Sequence, residues 1–520
     1  MPDNYILIGV GGTGAKVLES FVHLAASGAF GNHFKGKTVH LRTVDMDTGN
    51  GNLDRLEKLL ASYSGMVADG KSPPVYDIFK RYQSAFPKES HDNPKKDRAW
   101  HPINIQYKVE GVSDFSWSAG LPDTNPNLSN LFQVTGGNVD DRQLLDALFS
   151  NADKALNLKH GCSGVPRVGS IIWKRAFEED LEKPVGSFWK GLFNQLPPID
   201  GDGTKILLVG SIFGGVGASG IPTIFRKLYE WKFKDLTIAT NNNSLGLMMM
   251  LPYFSFAPSE GEKGAEPDEF ILNSKLALRY YKSADLFTEA MIQKVYMVGD
   301  DVRGMRTLNG KPVDTNLSGT NQRNPAMPAE LVAALSAMDF FVNAHPAKEQ
   351  HLNKEKQLVV AKKHDKPKDN WQNLPFENEA KAALTGLTLF SLVHEDIFAQ
   401  FCGDFRNMLD DDRFNQLSNV RLEWEEHDNL ISAFCRRFLE WMKELEINEL
   451  SLLDIDGCKE FLNDELFSLD GSYRYKPIFK NDKSSSLDQL IKIMRKHKKA
   501  DDHLLRNLVL SLMNACNQRN

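Results

Sequence analysis

Two stretches of this chain repeat one grammar: a short apolar run, a burst of glycines, then residues spaced for a helix. The first runs Tyr5-Ile-Leu-Ile-Gly-Val10, continues through Gly9-Val-Gly-Gly-Thr-Gly14, and predicts a helix over 15–26 with Leu18, Phe21, Val22 and Ala25 on one face. The second is Leu207-Leu-Val-Gly-Ser-Ile-Phe-Gly-Gly-Val-Gly-Ala-Ser-Gly220, with a helix expected from about Pro222. Apolar runs that end in glycine are how parallel strands buried on both faces read. A glycine turn between such a strand and a helix lets the backbone close on a phosphate. The helix N-terminus adds free N–H groups and the positive end of its dipole. A dinucleotide fold needs one such loop. Two, about 200 residues apart, let separate sets of amides converge on one polyphosphate.

Around these units the pattern alternates. Val39–Val44, Lys205–Val209, Met248–Phe254 and Lys294–Val298 read as strands. Ile171–Glu182, Phe270–Tyr281 and Ala329–Val342 read as helices, the last apolar on all sides. Residues 59–155 are mixed and read as an insertion of helices and loops. His345–Pro375 is polar. Beyond Ala380 the pattern is helical, longest over Leu387–Met408, Leu422–Leu445 and Leu487–Leu512. Phe434, Phe438 and Trp441 fall at helical spacing and read as core. The expected organisation is an α/β nucleotide-binding domain over 1–345, a linker or exposed loop over 346–379, and an α-helical C-terminal domain over 380–520.

The 520 residues are 41% apolar and 25% charged, which allows a sizeable core and excludes a wholly disordered chain. The net charge of −6 gives no general attraction to nucleic acid or anionic lipid, and neither partner is expected. No apolar run reaches the ~18–20 residues of a membrane helix. Cys162, Cys402, Cys435, Cys458 and Cys516 are scattered without a CxxC pair, so a reducing, cytoplasmic setting is expected. The basic runs Lys362–Lys368 and Lys492–Lys499 read as solvated faces, as do His345, His351 and His364.

Further motifs fall into line with the glycine loops. Val44-Asp-Met-Asp47 ends the second strand, where an acid would hold a ribose hydroxyl in a dinucleotide fold. Taken together, the residues resemble the tubulin/FtsZ superfamily. Gly9, Gly11, Gly12, Thr13 and Gly14 resemble that family's first phosphate loop. Asp45 and Asp47, with Asn50 and Asn52 nearby, resemble its second loop. Gly161-Cys-Ser-Gly-Val-Pro-Arg-Val-Gly169, with Gly164 and Arg167, is similar to its third. Gly214, Gly215, Val216, Gly217 and Ser219 are similar to its glycine signature. Pro252–Phe256 resembles its fifth loop, and Asp300 stands where a sugar-contacting loop falls. Asn324 and Asp339 are then the candidates on and before the central helix for reading a guanine edge. The resemblance covers about residues 1–344 and points to divergent bacterial tubulin-like proteins.

The resemblance implies a tubulin/FtsZ-like parallel-sheet fold that binds GTP or GDP with Mg²⁺. It also implies self-association, a partner protein at the C-terminal helices, and a nucleotide-dependent assembly or switch function. Divergent relatives of this kind occur in bacterial antiviral systems. Val216 replaces the usual threonine, and no N-x-D-x-x-D-like acidic loop follows Val342; Glu349, Asp365 and Asp396 are the nearest acids. Weak or conditional GTPase activity is the expectation, with no catalytic residue assigned. Two other readings stay open: a Rossmann-type NAD(P) enzyme, and a scaffold that has lost its nucleotide.

Overall fold

The computed structural model describes residues 4–47, 49–67, 102–121, 126–132, 139–158, 161–162, 165–194, 203–233, 244–256, 267–286, 294–313, 319, 322–343 and 418–450, with single positions or pairs at 380, 383–384, 387–388, 391, 395 and 452. In chain order the elements are β1 (Asn4–Val10), α1 (Gly11–Ser27), β2 (Thr38–Val44), α2 (Gly51–Val67), β3 (Asn104–Gln106), β4 (Ser116–Trp117), α3 (Leu128–Leu131), α4 (Val139–Leu148), α5 (Asn151–Ala155), α6 (Pro166–Glu182), α7 (Phe188–Asn194), β5 (Thr204–Ser211), α8 (Gly215–Leu228), β6 (Ser244–Met250), β7 (Phe254–Ser255), α9 (Pro267–Ser283), β8 (Lys294–Val298), β9 (Arg303–Gly304), α10 (Pro328–Asn343) and α11 (Ser418–Ile447).

The main sheet runs β3-β2-β1-β5-β6-β8, every pair parallel, with β4 pairing β2 beyond β3. Residues 59–155, read from the sequence as helices and loops, therefore also supply the edge of the sheet. These strands are too short, three and two residues, to leave a periodic signal. β1 and β5 are the central neighbours, in register from Asn4↔Thr204 to Val10↔Gly210. From β1 the chain moves outward to β2; from β5 it moves outward the other way to β6. The order reverses between them, and in open α/β sheets ligands bind in the crevice at that switch point, over the carboxyl ends of the strands.

Each central strand feeds two cores because successive side chains point to opposite faces. Tyr5 and Leu7 join Leu207 and Val209 in a core with α1, α2, α10 and α11. Ile6, Ile8 and Val10 join Ile206 and Leu208 in a core with α6, α7 and α8. α10 is buried almost throughout, as an apolar helix without a polar face must be. It runs antiparallel to the strands: its first turn lies by the glycine loops, and its end meets the start of β5. There buried Lys205 donates to the carbonyls of Phe340 (3.3 Å) and Phe341 (2.6 Å), which the helix leaves without internal partners.

α11 belongs to the same core. Phe434, Phe438, Trp441 and Leu445 are fully buried. The ring of His23 on α1 packs against Trp441, with centroids 4.8 Å apart, and burial lowers its pKa to about 3. Residues 346–379 and the helical pattern over 487–512 lie outside the described residues.

Candidate nucleotide site

Three helices start at the switch point: α1 after β1, α8 after β5, and α6, which follows Gly161 and Cys162 in the chain. None of the three N-termini has a side-chain cap, and none has an acid in its first turn. Uncapped N–H groups and unopposed positive dipole ends at one place form a cradle for an anion.

The loops touch. A Cβ on Gly11 would lie 3.3 Å from Val216 Cγ1 and 3.6 Å from the Gly217 nitrogen. One on Gly161 would lie 3.2 Å from Val216 Cγ2. Val216, where a threonine was expected, thus sets its methyl groups between the first and third loops. Gly9 and Gly14 serve a different purpose. A Cβ on Gly14 would lie 2.6 Å from the Gly9 carbonyl carbon, so these two glycines let α1 pack onto β1. α1 begins at Gly11 and α8 at Gly215, so both helices reach into their glycine clusters rather than starting at 15 and 222 as the sequence suggests.

The second loop closes over the first. A Cβ on Gly12 would lie 3.1 Å from Asn50 Nδ2 and 3.4 Å from Asn52 Nδ2. The Asn52 amide nitrogen is buried without a hydrogen-bond acceptor, while its Oδ1 accepts from the Asn324 N–H at 3.0 Å. Asn50 Nδ2 donates to Gln322 Oε1 at 2.8 Å. Asp47 Oδ2 accepts from the Gly319 N–H at 2.8 Å and its Oδ1 from the Gly49 N–H at 3.2 Å. Asp45 accepts from the Asp47 N–H at 3.1 Å; burial pushes its carboxyl up to about 7, against those hydrogen bonds. Both acids are engaged by the chain itself and shape the loop.

Other candidates are distributed as follows. Thr13 lies in the first turn of α1. Ser219 turns inward and donates to the Gly215 carbonyl at 2.6 Å, fixing the first turn of α8. Arg167 is exposed and forms a two-pronged pair with Asp153, at 2.6 and 3.1 Å. Asp300 follows β8 at the carboxyl edge, 3.5 Å from Arg303. Gly164 and the acids Glu349, Asp365 and Asp396 lie outside the described residues. Asp339 is not brought to the loops. It accepts from Tyr296 (2.6 Å) and Lys294 (2.8 Å) of β8, the latter at the amino end of that strand. Nine residues separate it from Glu330, ~13 Å along a helix that runs away from the site.

A buried ionic group was not legible in the sequence. Lys16, in the first two turns of α1, is buried and pairs with Glu330 on α10. Glu330 also accepts from Tyr253 at 2.7 Å and from the Met327 N–H at 2.9 Å. Burial lowers the Lys16 pKa and raises that of Glu330, each opposed by the other's charge. The lysine therefore ties the phosphate-loop helix to the central helix. No signal in sequence links positions more than 300 residues apart.

A parallel sheet with its order reversed between two glycine loops, a third loop beside them and an apolar helix behind matches the arrangement the resemblance implies. The fold is a parallel-sheet α/β fold with helices on both faces, the class that the resemblance implies. No protein-family model matches the sequence, and no curated protein matches it. Among solved structures, the chain is similar to CetZ from Methanosaeta thermophila, with 13% identity over 57% of this chain and 46% of that one, TM-score 0.24. It is also similar to GDP-bound monomeric CetZ1 from Haloferax volcanii, with 12% identity over 57% and 51%, TM-score 0.23. A GTPγS-bound protofilament of CetZ2 from the same organism matches with 11% identity over 65% and 58%, TM-score 0.26. The match thus spans about half the length of these structures. No described helix is long and apolar enough to cross a membrane.

Proposed function

We propose that the chain binds a guanine nucleotide, GTP or GDP, over the carboxyl ends of β1 and β5, and that its nucleotide state biases self-assembly. The observation that carries this reading is the meeting of three uncapped helix N-termini at the switch point, with Gly11 and Gly217 in near contact. The amides of Gly11, Gly12, Thr13 and Gly215 to Gly217 would hold the phosphates. The buried Asn52 amide beside Gly12 would add a donor that has no partner among the described residues. Guanine, rather than another base, rests on the tubulin/FtsZ resemblance of the loops, with Asn324 at the entrance to the central helix as the residue nearest that role.

Among the described residues no group of three His, Cys, Asp or Glu side chains is arranged to hold a metal. Mg²⁺ at such a site would be held largely through phosphate and water, offsetting the phosphate charge. Asp45 and Asp47 accept hydrogen bonds from their own loop and from Gly319, so they hold the second loop in place beside the glycine loops.

Extraction and mass identification of the copurifying nucleotide tests this. GTP or GDP is the expected result, and NAD(P) would overturn it. A competition titration should then favour GTP over ATP by a margin of a few kcal/mol, as matched hydrogen bonds at a buried base edge give. Equal affinities would remove the guanine assignment.

A further inference from the structure

The segment that leads into α10 is tied at three places. The Asn324 N–H donates to Asn52 of the second loop, at 3.0 Å. The Ala326 N–H donates to Glu444 Oε2, at 2.8 Å, and the Ala326 carbonyl accepts from Asn448 Nδ2, at 3.4 Å. The Met327 N–H donates to Glu330, which holds Lys16. The outer ties face the loops of the candidate site. The middle tie comes from α11, more than 100 residues later.

One guanidinium organises that middle tie. Arg437 on α11 donates through Nη1 and Nη2 to the two Glu444 oxygens, at 2.9 and 2.8 Å, and through Nε to Glu19 on α1, at 2.6 Å. Glu19 also accepts from Arg55 on α2, at 2.7 Å. Arg437, Glu19 and Glu444 keep 11%, 2% and 7% of their side chains exposed. Burial alone would lower the Arg437 pKa, but the two facing carboxylates raise it well above its usual value. Burial would raise that of Glu19, but Arg437 and Arg55 bring it down to about 2. A planar fork held by two carboxylates fixes angle as well as distance.

We infer that Arg437 is a positioning residue of the nucleotide site: through Glu444 it sets the Asn324–Met327 approach to the central helix, and through Glu19 it sets α1 behind the first glycine loop. Glu19 lies six residues beyond Thr13, ~9 Å along α1. Trp441 Nε1 donates to Ser20 at 3.3 Å, so the same turn of α1 is held twice. α11 is thereby a strut whose docking the site requires. This rests on the proposed nucleotide reading, and it names a part of the chain that touches no nucleotide.

The test uses the full chain with Arg437→Gln, Asn448→Ala and, as control, Arg436→Gln, whose side chain is 71% exposed and reaches Glu395. Amide hydrogen exchange on nucleotide-free protein reads the strut. Exchange at the Asn324, Ala326 and Met327 amides should rise at least tenfold in R437Q and N448A and stay unchanged in R436Q. Titration with Mg-GTP, well below each variant's Tm, reads the site. Affinity should fall about tenfold in the first two variants and not in the control. Unchanged exchange would overturn the strut. Faster exchange with GTP affinity within twofold of wild type would show a purely structural role and overturn the coupling. Absence of GTP binding by the wild type would overturn the nucleotide reading and the coupling with it, while exchange still judges the strut. Among the described residues, the Asn448 side chain hydrogen-bonds backbone groups of Arg306, Ala326 and Glu444, so N448A decides whether the α11 contact matters should R437Q fail to fold.

Discussion

Gly11 has φ +74°, a conformation that costs an L side chain about 1–2 kcal/mol, and its missing Cβ faces Val216 and the Gly217 nitrogen. Gly11→Val should therefore abolish nucleotide binding while leaving a folded protein a few degrees less stable, read by titration beside thermal melting. Gly217→Val should behave differently. Its Cβ would press on the Ser211 backbone, 2.9 Å from the amide nitrogen, so the loss should appear in folding before binding. Sequence spacing marks both positions as loop glycines and cannot separate close packing from an open cradle. His23 carries a pH prediction. Its folded pKa of about 3 lies below the ordinary 6.5, so between those values the unfolded chain binds more protons. Stability should be full above pH 6.5 and fall as pH drops toward 3, by up to ~4–5 kcal/mol. His23→Phe should flatten that slope in urea titrations across pH. Asp45, raised to about 7, acts oppositely, losing stability as pH rises from about 4 to 7.

At the scale of elements, α1 and α10 are joined by a buried charge pair, and such a pair is most sensitive to losing one member. Lys16→Met should destabilise the fold by about 3–5 kcal/mol by leaving Glu330 buried without its cation. Adding Glu330→Gln should recover part of this, and a double-mutant cycle by chemical denaturation measures the coupling. Strands β1, β2 and β8 were placed at or within one residue of their observed ends, whereas the strand expected over 248–254 spans Ser244–Met250, because the apolar sequence runs on past its end through Leu251, Tyr253 and Phe254. β3 and β4 were not placed, since strands of three and two residues carry no period. Asp339 was a base-reading candidate because the resemblance assigns that role to the central helix, and a matched helix fixes no distance from the site. The packing shows that α10 carries it toward the amino end of β8. The Arg437 group escaped for another reason: its members come from α1, α2 and α11, and only the packed core brings them together.

For the whole molecule, the question is turnover. Val216 supplies methyl groups where a hydroxyl was expected, and removing one transition-state donor typically costs about 10²–10³ in rate. The isolated chain should bind GTP and hydrolyse it slowly, with phosphate release per molecule independent of protein concentration. A steep rise with concentration would mean that one copy completes its neighbour's site, and Glu349, Asp365 and Asp396 would then be the acids to replace. The overall α/β plan and the phosphate loops were readable from sequence because glycine clusters and apolar runs are local. The union of residues 430–450 with the first core was not, because amphipathic helices declare a face and not a partner.

The β1–β5 pairing has a consequence for synthesis. These central neighbours lie about 200 residues apart, so at about 5–20 residues per second a ribosome takes on the order of 10–40 s to deliver the second after the first. During that interval β1 has one unpaired edge and an incomplete apolar layer, the condition under which strands add to other chains. No nascent chain shorter than about 228 residues contains both phosphate loops with their helices, so nucleotide cannot rescue the early intermediate. The β1 edge that faces β5 is thus the strand edge left open for that interval of synthesis.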